Sequence, residues 1–348
     1  WVDVNKGDDL NPNYRSRLVA RDIRLPGEEA IFAPTPPLEA LRTVLSAAAT
    51  DWKGAKRHIR DPESKYRTQI SFIDVSRAYF NAKRDPNVDP VYVDLPHEDP
   101  DKLKDMVGLL LVHLYGTRAA ADGWHCEYSG LLEELGFVKG DASACIFRHH
   151  LRNIVCSVHG DDFTAEGSKV QVDWYEKTLA AHYELSVGPR LGPGPEDAKE
   201  ARSPNRVIRW CDDPCRIEYE ADPRQIERLI SECGLDSSKS VATPGVKPTF
   251  TDLEEDTELP DKLHTPFRGA AARGNYLAAD RIDGQFACKE VCRWMSSPAE
   301  KSWQALERIC RYFAGAPRLL HTYPQQEWKV WICIPTQIGQ RVCLEDVC

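Results

Sequence analysis

Three carboxylates stand out by residue type and setting. Asp74 sits at the end of the apolar run 68–75, within Phe72-Ile73-Asp74-Val75-Ser76-Arg77-Ala78-Tyr79-Phe80. Asp161 and Asp162 follow Gly160 in Val158-His159-Gly160-Asp161-Asp162-Phe163. Carboxylates are hard oxygen donors, and phosphoryl or nucleotidyl transfer commonly uses two divalent ions about 3.5–4 Å apart held by such ligands. One ion activates the attacking hydroxyl and both steady charge on the phosphate. Three acids from two strands match that requirement. An isolated Asp-Asp pair is usually a solvated turn; two acidic motifs in this order, each behind an apolar strand, raise the chemical reading above that one.

The elements that must position these acids follow from periodicity. Residues 68–75 and 154–159 are apolar, β-branched runs expected to be buried strands, and 163–165 opens another strand directly after the acidic pair. Two strands around Gly160-Asp161-Asp162 predict a β-hairpin, with Gly160 free to take the φ > 0 that a tight turn demands. Residues 14–24 read as a short strand studded with arginines, 38–49 as a helix after the loop 34–37, 91–95 as an alternating strand closed by Pro96, and 145–147 as a further short strand. A polar loop with Gly54 and Pro62 is expected before residue 68, and 107–115 is largely apolar and leads into a small-residue helix continued by 124–135. Downstream, the Gly/Pro run 188–195 is the clearest punctuation. A β segment near 207–210, a helix near 223–233 and an acidic linker over 251–262 come next. The last helix is expected to start with Ser297 as N-cap, Pro298 at N1 and Glu300 at N3, and to run to Phe313 before Gly315 and Pro317.

Composition bounds the rest. A chain of 348 residues, 42% hydrophobic, can build one large or two to three small cores. No run approaches the roughly 18 apolar residues that cross a bilayer, and the start lacks the basic and apolar regions of a signal peptide. An intracellular protein is therefore expected, cytoplasmic or nuclear, and the missing initiator Met points to a piece of a longer product. The twelve cysteines are scattered, with only Cys211/Cys215 and Cys288/Cys292 close together, which favours free thiols over a zinc site. The net charge of −9 is unlike a nucleic-acid binder, yet the acidity is local: residues 196–260 carry −7 while 264–323 carry +4.

The order of motifs resembles the reverse transcriptase region of copia-type retrotransposon Pol polyproteins over nearly all of residues 1–323. Residues 14–21 resemble "Y-K-A-R-L-V-A-R", 32–39 resemble "F-A-P-V-A-R-L-E", 74–81 resemble "D-V-K-T-A-F-L-N", and 91–96 resemble "V-Y-M-x-x-P". Leu114-Tyr115-Gly116 and Trp124 bracket what is usually "L-Y-G-L-K-Q-A-P-R-A-W", Gly160-Asp161-Asp162 falls at "V-D-D", and 267–323 is similar to the family's closing segment. The resemblance implies an α+β right-hand polymerase: fingers and palm over 1–187, a thumb or connection-like region over 188–262, and a helical connection region over 263–323. It implies that Asp74, Asp161 and Asp162 bind two Mg²⁺, with Mn²⁺ as a substitute, that Tyr79 excludes a 2′-hydroxyl, and that Arg17, Arg21 and Gly160 line the substrate site. Implied partners are an RNA or DNA primer–template, deoxynucleoside triphosphates and the other polyprotein parts, integrase and RNase H, within a cytoplasmic particle.

Departures from the pattern are specific. Ala119 stands where the family has Gln, Ala121 and Asp122 replace Pro and Arg, and Gly160 replaces a bulkier residue. Residues 324–348 contain few acids and read as a truncated or frame-altered tail, so RNase H activity is expected to be absent. Two rivals follow: a catalytically inactive remnant that keeps the fold and binds nucleic acid, and a ligand- or protein-binding module using the acidic middle region.

Overall fold

The computed structural model describes residues 1–51, 68–203, 206–246 and 256–327, apart from positions 6, 9, 29, 85, 86, 88 and 89. They fall into two compact units, one from Trp1 to Asp197 joined by Gln326 and Glu327, the other from Ala198 to Gln325. The Gly/Pro run 188–195 belongs to the first. The polar loop with Gly54 and Pro62 and the tail beyond 327 lie outside the described residues.

In the first unit, β1 (Val2–Asn5) and β2 (Tyr14–Arg17) form a hairpin, followed by α1 (Leu38–Ala48) and β3 (Thr50–Asp51). Next come β4 (Thr68–Val75), α2 (Ala78–Asn81), the pair β5 (Tyr92–Asp94) and β6 (Val107–Leu109), and α3 (Ala120–Glu134). The unit continues through β7 (Val138–Lys139), β8 (Ile146–His149), β9 (Ile154–His159), β10 (Asp162–Ser168), α4 (Lys169–Ala180) and β11 (Leu185–Val187). Six strands make one antiparallel sheet in the order β11-β4-β10-β9-β8-β7.

Alternation along those strands assigns the two faces. Ile73 and Val75 of β4, Ile154, Cys156 and Val158 of β9, and Phe163 and Ala165 of β10 share one core with Trp124, Tyr128, Leu131 and Leu132 of α3 and Tyr175 and Leu179 of α4. Val155 points to the other face, where Val44 and Ala47 of α1 cover it. Burying each large apolar side chain in such a core contributes roughly 1.5–3 kcal/mol.

Several expectations move. The strand expected over 14–24 is confined to Tyr14–Arg17; beyond it the backbone docks on residues 115–116 instead, with Ala20 N–H donating to the Tyr115 carbonyl at 2.7 Å. β10 runs well past residue 165, to Ser168, and α4 follows it, burying a Val172, Tyr175, Leu179 stripe at helical spacing.

The second unit holds the antiparallel sheet β12 (Glu200–Ser203), β13 (Arg206–Asp212), β14 (Cys215–Ala221) and β15 (His321–Pro324). Its helices are α5 (Pro223–Glu232), α6 (Asp261–Ala278), α7 (Gln285–Cys292) and α8 (Glu300–Gly315), packed around Leu229, Phe267, Leu277, Leu306, Ile309 and Phe313. Asp222 caps α5 through its carboxylate, which accepts from Arg224 N–H at 3.0 Å, with Pro223 at the first helical position. Of the acidic linker expected over 251–262, residues 251–255 are not described, and Asp261 already opens α6. The expected start of α8 is also displaced: Ala299 is the N-cap, and its N–H donates to Ser302 Oγ at 3.0 Å. Pro298 stays outside because its carbonyl accepts from Leu259 N–H at 3.0 Å and holds the chain extended. In the first unit, β16 (Gln326–Glu327) pairs in parallel with β3.

Candidate active site

The site grows from one register. β10 lies antiparallel between β4 and β9, so that Asp162 faces Asp74 across one ladder and His159 across the other. Gly160 and Asp161 are then the two residues of the β9–β10 turn. Gly160 has φ +63° and Asp161 does not share that positive φ, a turn whose first central position excludes most L side chains. Since Phe163 and Ile73 point into the core, Asp162 and Asp74 both point away from it, on the sheet face that α1 covers only farther along. Asp74 and Asp161 are exposed and Asp162 is half-buried.

Two contacts fix the turn. Val75 N–H donates to the Asp161 carbonyl at 2.9 Å, and the buried Trp124 of α3 donates its indole Nε1–H to the Gly160 carbonyl at 2.8 Å. Trp124 packs edge-on against Phe163 and Tyr183, so the ring that holds the turn is itself held by the core. On the β4 side, Arg77 takes a left-handed φ of 53° and pairs with Glu184 before α2 begins.

Electrostatics set these acids apart. Burial, then the charges of Asp161 and Asp74, push the Asp162 carboxyl up to about 6. Burial and Asp161 also raise Asp74, while Arg17 works in the opposite sense. Among the described residues, no ion pair or side-chain hydrogen bond neutralises any of the three. No three His, Cys, Asp or Glu side chains among them close around a common point either. Like charges repel, Arg17 offsets this only in part at Asp74, and the trio sits as neighbours at one end of the paired strands. Hard, unpaired, mutually repelling oxygens are the donor set that Mg²⁺ or Mn²⁺ suits.

The other expected site residues divide. Tyr79, half-buried against the core, has its ring centroid 4.7 Å from that of Tyr115, and its hydroxyl is raised by burial and then by Asp161. Arg17 lies over the Tyr115 ring at 5.6 Å. Arg21 is exposed, and the backbone on either side of it is anchored through the N–H groups of Ala20 and Asp22. Tyr115 and Trp124 are the residues that motif reading left without roles. The available signal was Gly116, which has φ +87° and whose Cβ would run into the Ala20 carbonyl.

No protein-family model matches the chain. It is 26% identical over 94% of its length to the retrovirus-related Pol polyprotein from transposon RE2 of Arabidopsis thaliana, and 26% identical over 94% to that from transposon RE1 of the same plant. It is also 23% identical over 90% to the Pol polyprotein from transposon TNT 1-94 of Nicotiana tabacum. The chain is a homologue of copia-type retrotransposon Pol polyproteins. It spans 22–23% of the length of these relatives.

Within this Pol-polyprotein homologue, the departures from the motif pattern have definite places. Ala119 is the N-cap of α3, and its carbonyl accepts from Gly123 N–H at 2.9 Å; it offers no side-chain hydrogen bond. Asp122 occupies the first turn of α3, where the helix dipole favours a carboxylate, and its charge acts on His125 and Cys126 along the same helix. No helix among the described residues is long and apolar enough to cross a membrane.

Proposed function

We propose that this chain is a reverse transcriptase with a right-hand polymerase architecture. The first unit supplies fingers and palm, and the second supplies thumb and connection. The observation that carries this reading is the Asp162–Asp74 register with Asp161 in the adjoining turn: three neighbouring carboxylates that form no ion pair among the described residues. Support comes from the Pol polyprotein homology over 94% of the chain.

The reaction is attack by a primer 3′-hydroxyl on the α-phosphate of a deoxynucleoside triphosphate, with pyrophosphate leaving. Asp74, Asp161 and Asp162 would hold Mg²⁺, which when bound neutralises phosphate charge and favours the attacking alkoxide. Arg17 contributes a guanidinium fork for triphosphate oxygens, and Arg21 a second cation on the same stretch. Tyr79 presents a half-buried ring where a 2′-hydroxyl would have to fit, which selects deoxynucleotides by exclusion. Trp124 keeps the turn in place through the Gly160 carbonyl. An RNA or DNA primer–template is the partner, held by contacts to its phosphates.

The test is incorporation of dTTP on poly(rA)/oligo(dT) with Mg²⁺ or Mn²⁺, beside an Asp161→Asn, Asp162→Asn control. Extension that vanishes in the control supports the polymerase and shows that Ala119 is tolerated. A folded protein that binds the duplex in a salt-dependent way yet extends nothing is the inactive remnant instead.

A further inference from the structure

Tyr79 rides on α2, a single turn of four residues entered through the left-handed Arg77. One turn of helix has little stability of its own, so the position of that ring depends on what packs against it. Inward it meets the core; outward it meets Tyr115, at 4.7 Å between centroids and a tilt of 45°. Tyr115 also takes the edge of Phe80 at 5.5 Å and lies under the Arg17 guanidinium at 5.6 Å.

Tyr115 itself is held from several directions. Its carbonyl accepts from Ala20 N–H at 2.7 Å, and the Gly116 carbonyl accepts from Asp22 N–H at 3.3 Å. The Asp22 carboxylate in turn accepts from Arg118 N–H at 2.9 Å, and Arg118 pairs with Glu28. Gly116 permits this close approach, since any Cβ there would meet the Ala20 carbonyl. The result is an anchored aromatic ring in contact with two residues assigned to opposite ends of a nucleotide: Tyr79 at the sugar and Arg17 at the triphosphate.

Resting on the polymerase reading above, we infer that Tyr115 is a positioning residue for sugar discrimination. It holds the Tyr79 ring against the core and so sets the preference for deoxyribonucleoside over ribonucleoside triphosphates. An edge or tilted aromatic contact has both geometry and strength to do this, and aliphatic replacements supply volume without a ring orientation. Phenylalanine keeps the ring and loses only the hydroxyl. The same ring also lies under the Arg17 guanidinium, so its loss also weakens nucleotide binding.

The experiment compares single-nucleotide incorporation of dTTP and UTP on poly(rA)/oligo(dT) by the wild type, Tyr115→Leu, Tyr115→Phe and Tyr79→Ala, with circular dichroism as the fold control. Tyr115→Leu is expected to lower the dTTP-over-UTP preference roughly threefold to tenfold and to raise KM for dTTP more than it lowers kcat. Tyr115→Phe is expected to stay near the wild type, and Tyr79→Ala to shift the preference in the same direction as Tyr115→Leu. Where Tyr115→Leu does not fold, Tyr115→Met, closer in length to the native ring, takes its place. A folded, active Leu or Met variant with wild-type discrimination overturns the inference alone. A folded wild type that incorporates neither nucleotide overturns the polymerase reading and the inference with it.

Discussion

The turn edge of the first unit and the polar network of the second treat carboxylates in opposite ways. At the edge, no ion pair among the described residues holds Asp74, Asp161 or Asp162, and Asp162 is pushed up to about 6. In the second unit, burial would raise Glu220, but hydrogen bonds from Arg318 and Arg209 outweigh it and hold the carboxyl low. Burial likewise opposes Asp283, yet Arg281 and Tyr312 bring it down. The guanidinium of the buried Arg281 also donates to the Ala316 carbonyl at 2.7 Å and stacks on Phe313. The acids of the second unit are matched by donors, whereas those at the turn edge are left costly. Both patterns conform to the same electrostatics.

The largest effect that could break this comparison is on the reaction. Asp162→Asn is expected to reduce nucleotide incorporation by roughly a thousandfold or more, because several kcal/mol of phosphate-charge stabilisation is lost. Incorporation at the wild-type rate would remove Asp162 from the chemistry. Next is the fold: Arg281→Met leaves Asp283 with the Tyr312 hydroxyl but without its guanidinium partner and is expected to cost about 3 kcal/mol in urea unfolding. A loss under 1 kcal/mol would mean the network is not structural.

Smaller is Trp124→Phe, which loses part of a buried ring and the donor to the Gly160 carbonyl, at about 1–3 kcal/mol. If the indole holds the turn, the variant needs more Mn²⁺ for half-maximal thermal stabilisation, whereas an unchanged Mn²⁺ titration would reduce Trp124 to packing. The two regions also diverge with pH. Glu220 and Asp283 have folded values below their unfolded ones of about 4.3 and 3.9, so their contribution is complete above about pH 5 and is lost as pH falls through the lower folded values. Glu220→Gln should therefore flatten the acid limb of the stability curve below pH 5; an unchanged limb would mean the arginines add nothing.

The smallest effect sharpens the contrast most. In metal-free buffer at neutral pH, Asp162→Asn is expected to stabilise the protein by about 1–2 kcal/mol, after allowing for solvent screening of the trio. Mg²⁺ should then raise the wild-type Tm more than the variant's. A variant less stable than the wild type would mean that Asp162 is a structural acid after all.

Periodicity and turn chemistry made much of the first unit legible. The β4 run over 68–75, the β9 run over 154–159 and the Gly160 turn are local patterns, as is the helix expected near 223–233 in the second unit. What stayed hidden was decided by distant partners. The expected strand beyond Arg17 is drawn off by Tyr115 and Gly116, and the Ser297 cap is overruled because Pro298 is engaged by Leu259. α4 was legible in principle from its apolar spacing.

By itself, the sequence determined the three aspartates, the glycine that lets the Gly160-Asp161 turn form just before Asp162 and the strand run that presents Asp74, because residue type and nearest-neighbour periodicity are local properties. Only the tertiary structure decided that Asp162 lies opposite Asp74, that Trp124 reaches the Gly160 carbonyl and that Tyr115 leans on Tyr79. Those are pairings between segments tens of residues apart. Their choice depends on which apolar faces bury together, and no single segment carries that information.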